Sequence, residues 1–340
     1  MSEKNQVTFK EIAEYTGFSK TTISRYFNKP ATVTEKNRKI IREALDLLGY
    51  QENKVAHILA TGKTEYVGVI VPNLDLDYYS SMLDRILKTY NEFGYKFIVF
   101  VGSNDTAAEE RYIEELLAYQ IEGLIIMNHT LPSESLCSLS VPVVAIERED
   151  RFINSVNSDN YLGGIEAASL LTEKTCDILI HLNSPTDESI PASRRISGFR
   201  DYCSARDLRY EIMIRDFGYS HEEVYSHAKA AFEEMETRYP GMKKGVFCAN
   251  DVIANYLLGQ VIRKYGGLTP LYRIVGFDNT PVGVKAPYSI STVDQQIEVI
   301  AREAICLLME KIRQKRTGDP AARVPIHKTV TPIVLRREST

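Results

Sequence analysis

Hydrophobic positions in the first fifty residues fall into three short helical stripes. Thr8-Phe9-Lys10-Glu11 is a capping box, and Phe9, Ile12 and Ala13 follow at i, i+3, i+4 spacing. Gly17 breaks that helix. Ser19 caps a second, residues 20–27, whose Ile23 and Phe27 point one way while Lys20, Thr21 and Arg25 are free to point another. Thr34 opens a third helix carrying Ile40, Ile41, Ala44, Leu45 and Leu48, with Gly49 placed to end it. Two short helices across a glycine turn predict a helix-turn-helix whose core is made by the three apolar faces. From Tyr66 onward, short β-branched runs (67–71, 96–101, 123–127, 141–146, 177–182, 245–248, 273–277) alternate with amphipathic stretches (81–93, 107–119, 161–173, 221–238). Continuous apolar strands between helices predict parallel sheets covered on both faces, and the length suits two of them. Open sheets of this kind bind ligands beyond the carboxyl ends of their strands, which makes the residues after each run the ones to inspect.

Composition narrows the function classes. The 340 residues are 44% hydrophobic and 25% charged, the balance of a globular protein. No run approaches the roughly 18 apolar residues of a membrane span. The N-terminus lacks the apolar region of a signal peptide, so the expected location is the cytoplasm. Five cysteines, odd in number and without a C-x-x-C pair, predict reduced thiols packed as small hydrophobes. Net charge is −4, yet it divides as +3 through Gly62 and −7 beyond, the asymmetry of a DNA-binding head on an acidic body. G-x-G-x-x-G, Walker, H-E-x-x-H and G-x-S-x-G patterns do not occur, and the six histidines are scattered. The expectation is no catalytic residue, no metal site and no cofactor. A strand histidine such as His181 reads as a satisfied core residue.

Thr8 to Asn28, TFKEIAEYTGFSKTTISRYFN, closely resembles the head of the lactose/galactose repressor (LacI/GalR) family of bacterial transcription factors. The likeness continues through Val33-Thr34, Gly49-Tyr50 and the hinge segment 53–60 (NKVAHILA). It then runs through 158–164 (SDNYLGG), Ala249-Asn250-Asp251, 275–279 (VGFDN) and the terminal 337–340 (REST). Phe93-Gly94-Tyr95 and Ile121-Glu122-Gly123 are similar to repressors of the sucrose type. The resemblance implies an α/β fold: a small all-α helix-turn-helix head (1–52), a hinge helix and linker (53–65), and a two-lobed periplasmic-binding-protein-like core of two parallel α/β sheets (66–340). The chain would cross between the lobes near 160, 292 and 323.

Residue by residue, the resemblance implies that Lys20, Thr21 and Arg25 read the major groove, where Arg or Lys suits guanine O6 and N7 and Thr is less selective. A solvated helix face is the plainer reading of the same three. Thr8, Ser19, Asn28 and Thr34 look like backbone-phosphate contacts, and each is equally a cap or turn residue. Asn53, Ala56 and Leu59 match the hinge spacing, with Leu59 either a minor-groove wedge or a packing residue against the core. His57 departs from the arginine often found there, which weakens a phosphate contact and makes binding pH-sensitive. In the core, Arg195, Asn250 and Asp278 match positions that hold an effector in the cleft. Glu147 and Gln295 match further pocket positions, and at least one of Tyr78 and Tyr79 would be an aromatic wall. Asn, Asp and Arg together exchange hydrogen bonds with several hydroxyls, which suits a sugar or sugar phosphate. Asp159 reads as a helix cap, and Gly163-Gly164 as glycines that allow close packing.

The expected function is a sequence-specific DNA-binding repressor whose operator affinity is set by a small carbohydrate effector. Its expected partners are a near-palindromic double-stranded operator, the effector and a second copy of the chain, with no membrane. A homodimer follows because the C-terminal stretch has no leucine heptad of the kind that builds tetramers. The alternative is a sugar-binding protein without a DNA-regulatory role; an enzyme acting on sugars is the third class, separated by a turnover assay.

Overall fold

Local capping decides where the first helices begin and end. Helix α1 (Phe9–Thr16) starts where the Glu11 carboxylate receives both the backbone N–H of Thr8 (2.7 Å) and its hydroxyl (2.9 Å), and it stops at Gly17 with φ 71°. Helix α2 (Lys20–Asn28) is capped by Ser19, whose Oγ accepts from the Thr22 N–H at 3.2 Å. Helix α3 (Glu35–Leu48) opens at Thr34, which accepts from the Asn37 N–H at 3.4 Å, and ends at left-handed Gly49. Ile12, Ile23, Val33 and Ile41 fill the centre, and the rings of Phe9, Phe27 and Tyr50 pack beside them. Ile40, expected on the buried face of α3, is instead exposed, because it lies off the stripe of Ile41, Ala44, Leu45 and Leu48.

The structure is a computed structural model. It describes residues 7–50, 58, 62–102, 105–127, 130–148, 151–173, 175–186, 190–218 and 220–340, and only the backbone of Asn28. Asn53, Ala56, His57 and Leu59, the expected hinge residues, lie outside the described residues. The chain forms two compact units, residues 1–64 and 65–340. Among the described residues no helix is long and apolar enough to cross a membrane.

The second unit holds two six-stranded sheets. The first is built from β1 (Tyr66–Val71), β2 (Lys96–Val101), β3 (Gly123–Met127), β4 (Val143–Ile146), β5 (Asn154–Ser158) and, late in the chain, β11 (His327–Val330). Its order is β11-β5-β4-β3-β1-β2, and every pair is parallel. The second sheet holds β6 (Ile178–Asn183), β7 (Tyr210–Ile214), β8 (Lys244–Cys248), β9 (Tyr272–Phe277), β10 (Ser291–Asp294) and β12 (Ile333–Leu335), in the order β12-β10-β9-β8-β6-β7. The longer helices that cover the sheets are α4 (Asp77–Lys88), α5 (Thr106–Ala118), α6 (Asn160–Thr172), α7 (Arg194–Ser204), α8 (His221–Arg238), α9 (Asp251–Tyr265) and α10 (Ile297–Thr317).

Two expectations about this unit need correction. The second sheet is not wholly parallel: β12 runs antiparallel to β10. The last crossing falls at Thr331 and Pro332 rather than near 323, because a buried lysine holds residues 320–324 on the first lobe. The Lys311 ammonium donates to the carbonyls of Ala321 (2.8 Å) and Val324 (2.6 Å), so the chain completes β11 before it leaves. With only two residues in that link, no crossover helix returns the chain to the end of the sheet from which a parallel strand would start. The other crossings follow β5 and β10.

Helices α6 and α7 touch backbone to backbone. Asp159 caps α6 by accepting from the Leu162 N–H at 2.9 Å. A Cβ on Gly164 would lie 2.3 Å from the carbonyl oxygen of Arg195, and one on Gly198 2.0 Å from that of Tyr161. Gly198→Ala therefore forces the helices apart, and the expected loss is about 2–4 kcal/mol, despite alanine's better helix propensity. Urea unfolding checks this; a variant as stable as the parent would show that the two helices can separate at no cost.

Candidate functional site

The carboxyl ends of the strands from both sheets face one cleft of about 200 Å³. Tyr78 and Tyr79 reach it from the first turn of α4, and Glu147 from the residue after β4. From the second lobe come Arg195 in α7, Asn250 just beyond β8 and Asp278 just beyond β9. Gln295 stands on the crossing after β10. All seven residues expected of the core site thus line a single space. This is where an open α/β sheet places a ligand.

Arg195 is buried and fully occupied on one side. Its Nε donates to Asn160 Oδ1 at 2.7 Å, its Nη1 to the carbonyl of Ala249 at 2.6 Å, and its guanidinium lies 3.7 Å from the centroid of the Phe277 ring. Asn250 is the N-cap of α9, its Oδ1 accepting from the Ile253 N–H at 2.9 Å, which leaves its amide NH₂ for other partners. Glu147 takes the Tyr78 hydroxyl at 2.9 Å. Its backbone is left-handed (φ 61°), a conformation held by the bond from its own N–H to Asn157 Oδ1 at 2.8 Å. Asp278 is likewise at positive φ, and its N–H is fixed to the Val293 carbonyl. Gln295 donates to Asp278 Oδ1 at 2.6 Å, while its own Oε1 is buried with no hydrogen-bond partner among the described residues. An unsatisfied buried acceptor costs free energy, which a hydroxyl donor entering the cleft would recover.

Charge in the cleft is governed by burial. Burial pushes the Asp278 carboxyl well above the ordinary carboxylate range; Arg195 pulls it down, while Asp251 and Glu147 push it further up. Tyr78 is raised well above the ordinary phenol for the same first reason, reinforced by Glu147 and Asp278. Behind Asn250, Asp251 is buried and accepts from the Thr280 N–H (2.7 Å) and from the hydroxyls of Thr280 and Thr292. Burial outweighs those bonds and lifts it to about 7. His181 is buried beneath, its Nδ1 3.0 Å from the Phe247 carbonyl, and is held neutral by burial with a pKa of about 3.

In the first unit, Lys20, Thr21 and Arg25 are exposed on one face of α2, opposite buried Ile23. The hydroxyls of Thr8, Ser19 and Thr34 sit at the starts of the three helices and are engaged there. Sequence reasoning misses Asn160, which orients Arg195, and the wall formed by Asn183, Thr186 and Ile190. Asn183 is within reach: it follows the run 177–182, where the strand-end rule points. Asn160 reads only as part of a turn into a helix, and nothing in the sequence pairs it with residue 195.

Comparison with known proteins places both units. The family described as bacterial regulatory proteins, lacI family, matches residues 8–53, and the periplasmic binding protein-like domain matches residues 168–340. The sucrose operon repressor of Streptococcus mutans is 28% identical over 314 residues, covering 90% of this chain and 93% of that protein. The ribose operon repressor of Halalkalibacterium halodurans is 24% identical and covers 91% of each. Among solved structures, a lac repressor dimer bound to operator superposes with a TM-score of 0.78 at 22% identity, over 99% of both chains. A periplasmic binding protein/LacI regulator from Alkaliphilus metalliredigens, complexed with D-xylulofuranose, gives 0.70 at 25% identity, over 81% of this chain and 99% of that one.

Asp251 tests the electrostatics of the site. A carboxyl near 4 in the unfolded chain and about 7 in the folded one gives stability that is full below about pH 4 and lost as pH rises through 7. The urea midpoint is expected to fall between about pH 5 and about pH 7.5, and to fall less in Asp251→Asn. Equal pH dependence in the two proteins would contradict the assignment.

Proposed function

Because this chain belongs to the LacI/GalR family of bacterial transcription regulators, we propose that it is a cytoplasmic homodimeric repressor released from or fixed to its operator by a carbohydrate bound in the core cleft. It is a sequence-specific DNA-binding protein with a sugar-binding core, not an enzyme. Relatives are complexed with D-xylulofuranose, cellobiose and ribose, which supports an effector of that chemistry here. The observation that carries the reading is the convergence of seven residues, from Tyr78 to Gln295, on one cleft in a chain headed by a helix-turn-helix.

Within that reading, Lys20, Thr21 and Arg25 contact base edges, and Thr8, Ser19, Asn28 and Thr34 set the head on the phosphates. Asn53, Ala56, His57 and Leu59 form the minor-groove hinge. In the core, Arg195 and Asn250 donate to sugar hydroxyls, Asp278, Glu147 and Gln295 accept from them, and Tyr78 and Tyr79 wall the ring. The cleft favours an unphosphorylated sugar over its phosphate ester. The described lining sets two carboxyl groups, those of Glu147 and Asp278, against the one guanidinium of Arg195, so it carries no surplus positive charge. A phosphate dianion would find no net positive charge there to hold it.

Fluorescence anisotropy on DNA from upstream of the protein's own gene, at fixed salt, tests this reading as sugars and their phosphate esters are titrated in. One neutral sugar is expected to change DNA affinity, at a concentration about tenfold or more below that of its phosphate. Arg25→Ala should weaken operator binding by about 10–100-fold, the value of a bidentate base contact, and leave the sugar's affinity unchanged. Asn250→Ala should do the reverse. Absence of binding to any DNA above the nonspecific level would leave a sugar-binding protein as the reading.

A further inference from the structure

We propose that the first lobe carries a second small-molecule site, for an amphipathic anion, at the end opposite the effector cleft. A cavity of about 800 Å³ opens at the amino ends of β4 and β5, against about 200 Å³ for the cleft at their carboxyl ends. That volume lies within the range of small-molecule pockets. Its floor is apolar, with Leu139, Val141 and Phe152, and two cations stand on its walls, Lys315 from the last turn of α10 and Arg323 from the turn that follows. Among the described residues neither cation has a carboxylate partner; the Lys315 ammonium donates to the Ser140 carbonyl. The one acid among the described residues of the wall, Asp319, is engaged in capping its own turn through the Ala321 N–H at 2.9 Å.

The wall is built rather than accidental. The turn carrying Arg323 is pinned by Lys311, a buried ammonium whose hydrogen bonds go to two backbone carbonyls of that turn. Burying an amine is costly, so the turn is held in place by a strong, specific contact. An apolar body on the floor with one anionic group between Lys315 and Arg323 complements this surface in shape and in sign. The site shares no residue with the effector cleft and does not depend on what binds there.

The test uses the full chain and 8-anilinonaphthalene-1-sulfonate, an amphipathic fluorescent anion. Cys137, the exposed cysteine among the five and a residue of the cavity wall, supplies a second readout. Saturable fluorescence is expected, weakened about tenfold or more in Lys315→Ala/Arg323→Ala and abolished in the floor-filling Leu139→Trp. Alkylation of Cys137, mapped by mass spectrometry, should slow severalfold at saturating probe in the unaltered protein, so the proposal stays testable if a variant fails to fold. Displacement by octanoate or by octyl phosphate supports the site and tells which headgroup it takes. Displacement by neither, or a Cys137 rate indifferent to the probe, overturns it.

Discussion

A buried guanidinium organises the core cleft. Arg195 sits between the start of α6, through Asn160, the end of β8, through the Ala249 carbonyl, and the end of β9, through the face of Phe277. A charge taken out of water is tolerated only when such contacts replace its hydration. Here they also fix the start of α6 against two strands, β8 and β9, that are each followed by a cleft-lining residue, Asn250 and Asp278. The close approach at Gly164 and Gly198 is a condition of this clamp, since Asn160 and Arg195 lie on the two helices that those glycines allow to touch. Asp278 and Glu147 then share the cleft with a cation that does not move to meet them.

The same geometry makes the cleft a place where two lobes are read together. Tyr78, Tyr79 and Glu147 belong to the first sheet's end, Arg195, Asn250 and Asp278 to the second's, and Gln295 to a segment joining them. A sugar bonded to both sets favours whichever relation of the lobes satisfies the most partners, and so shifts a population rather than forcing a change. Its leverage is its differential affinity for the two relations, and by reciprocity DNA bound to the head changes sugar affinity by the same factor. Gln295 leads directly into α10, whose far end borders the second cavity.

Much of this architecture is legible in the amino-acid sequence. The head's caps at Thr8, Ser19 and Thr34 and the stops at Gly17 and Gly49 are local chemistry, written within a few residues. Seven strands are legible as apolar runs. β5 is not, because Asn154-Ser155-Val156-Asn157-Ser158 is polar yet buried. Asn154 bonds to the Val143 carbonyl and the Ile326 N–H, and Asn157 to the backbone of residues 147 and 148, so neighbouring backbone satisfies both asparagines, while Ser155 pairs with the His327 ring at 3.0 Å and the buried Ser158 hydroxyl has no hydrogen-bond partner among the described residues. β7 lies at a sheet edge, where its alternating Tyr210-Glu211-Ile212 pattern lacks a continuous apolar run. The cleft residues are found by their places after strands and by family likeness. Asn160 and Lys311 escape such reasoning because their partners are distant in sequence and nothing local announces a buried cation or what orients one.

The most direct measurement is a crystal structure of the full chain with the sugar that alters its DNA affinity. The expected result is ligand density between the strand ends, within hydrogen-bond reach of Arg195, Asn250 and Asp278, with the side-chain oxygen of Gln295 no longer unpartnered. Density elsewhere, with Arg195 and Asp278 untouched by ligand, would contradict the assignment of this cleft as the effector site.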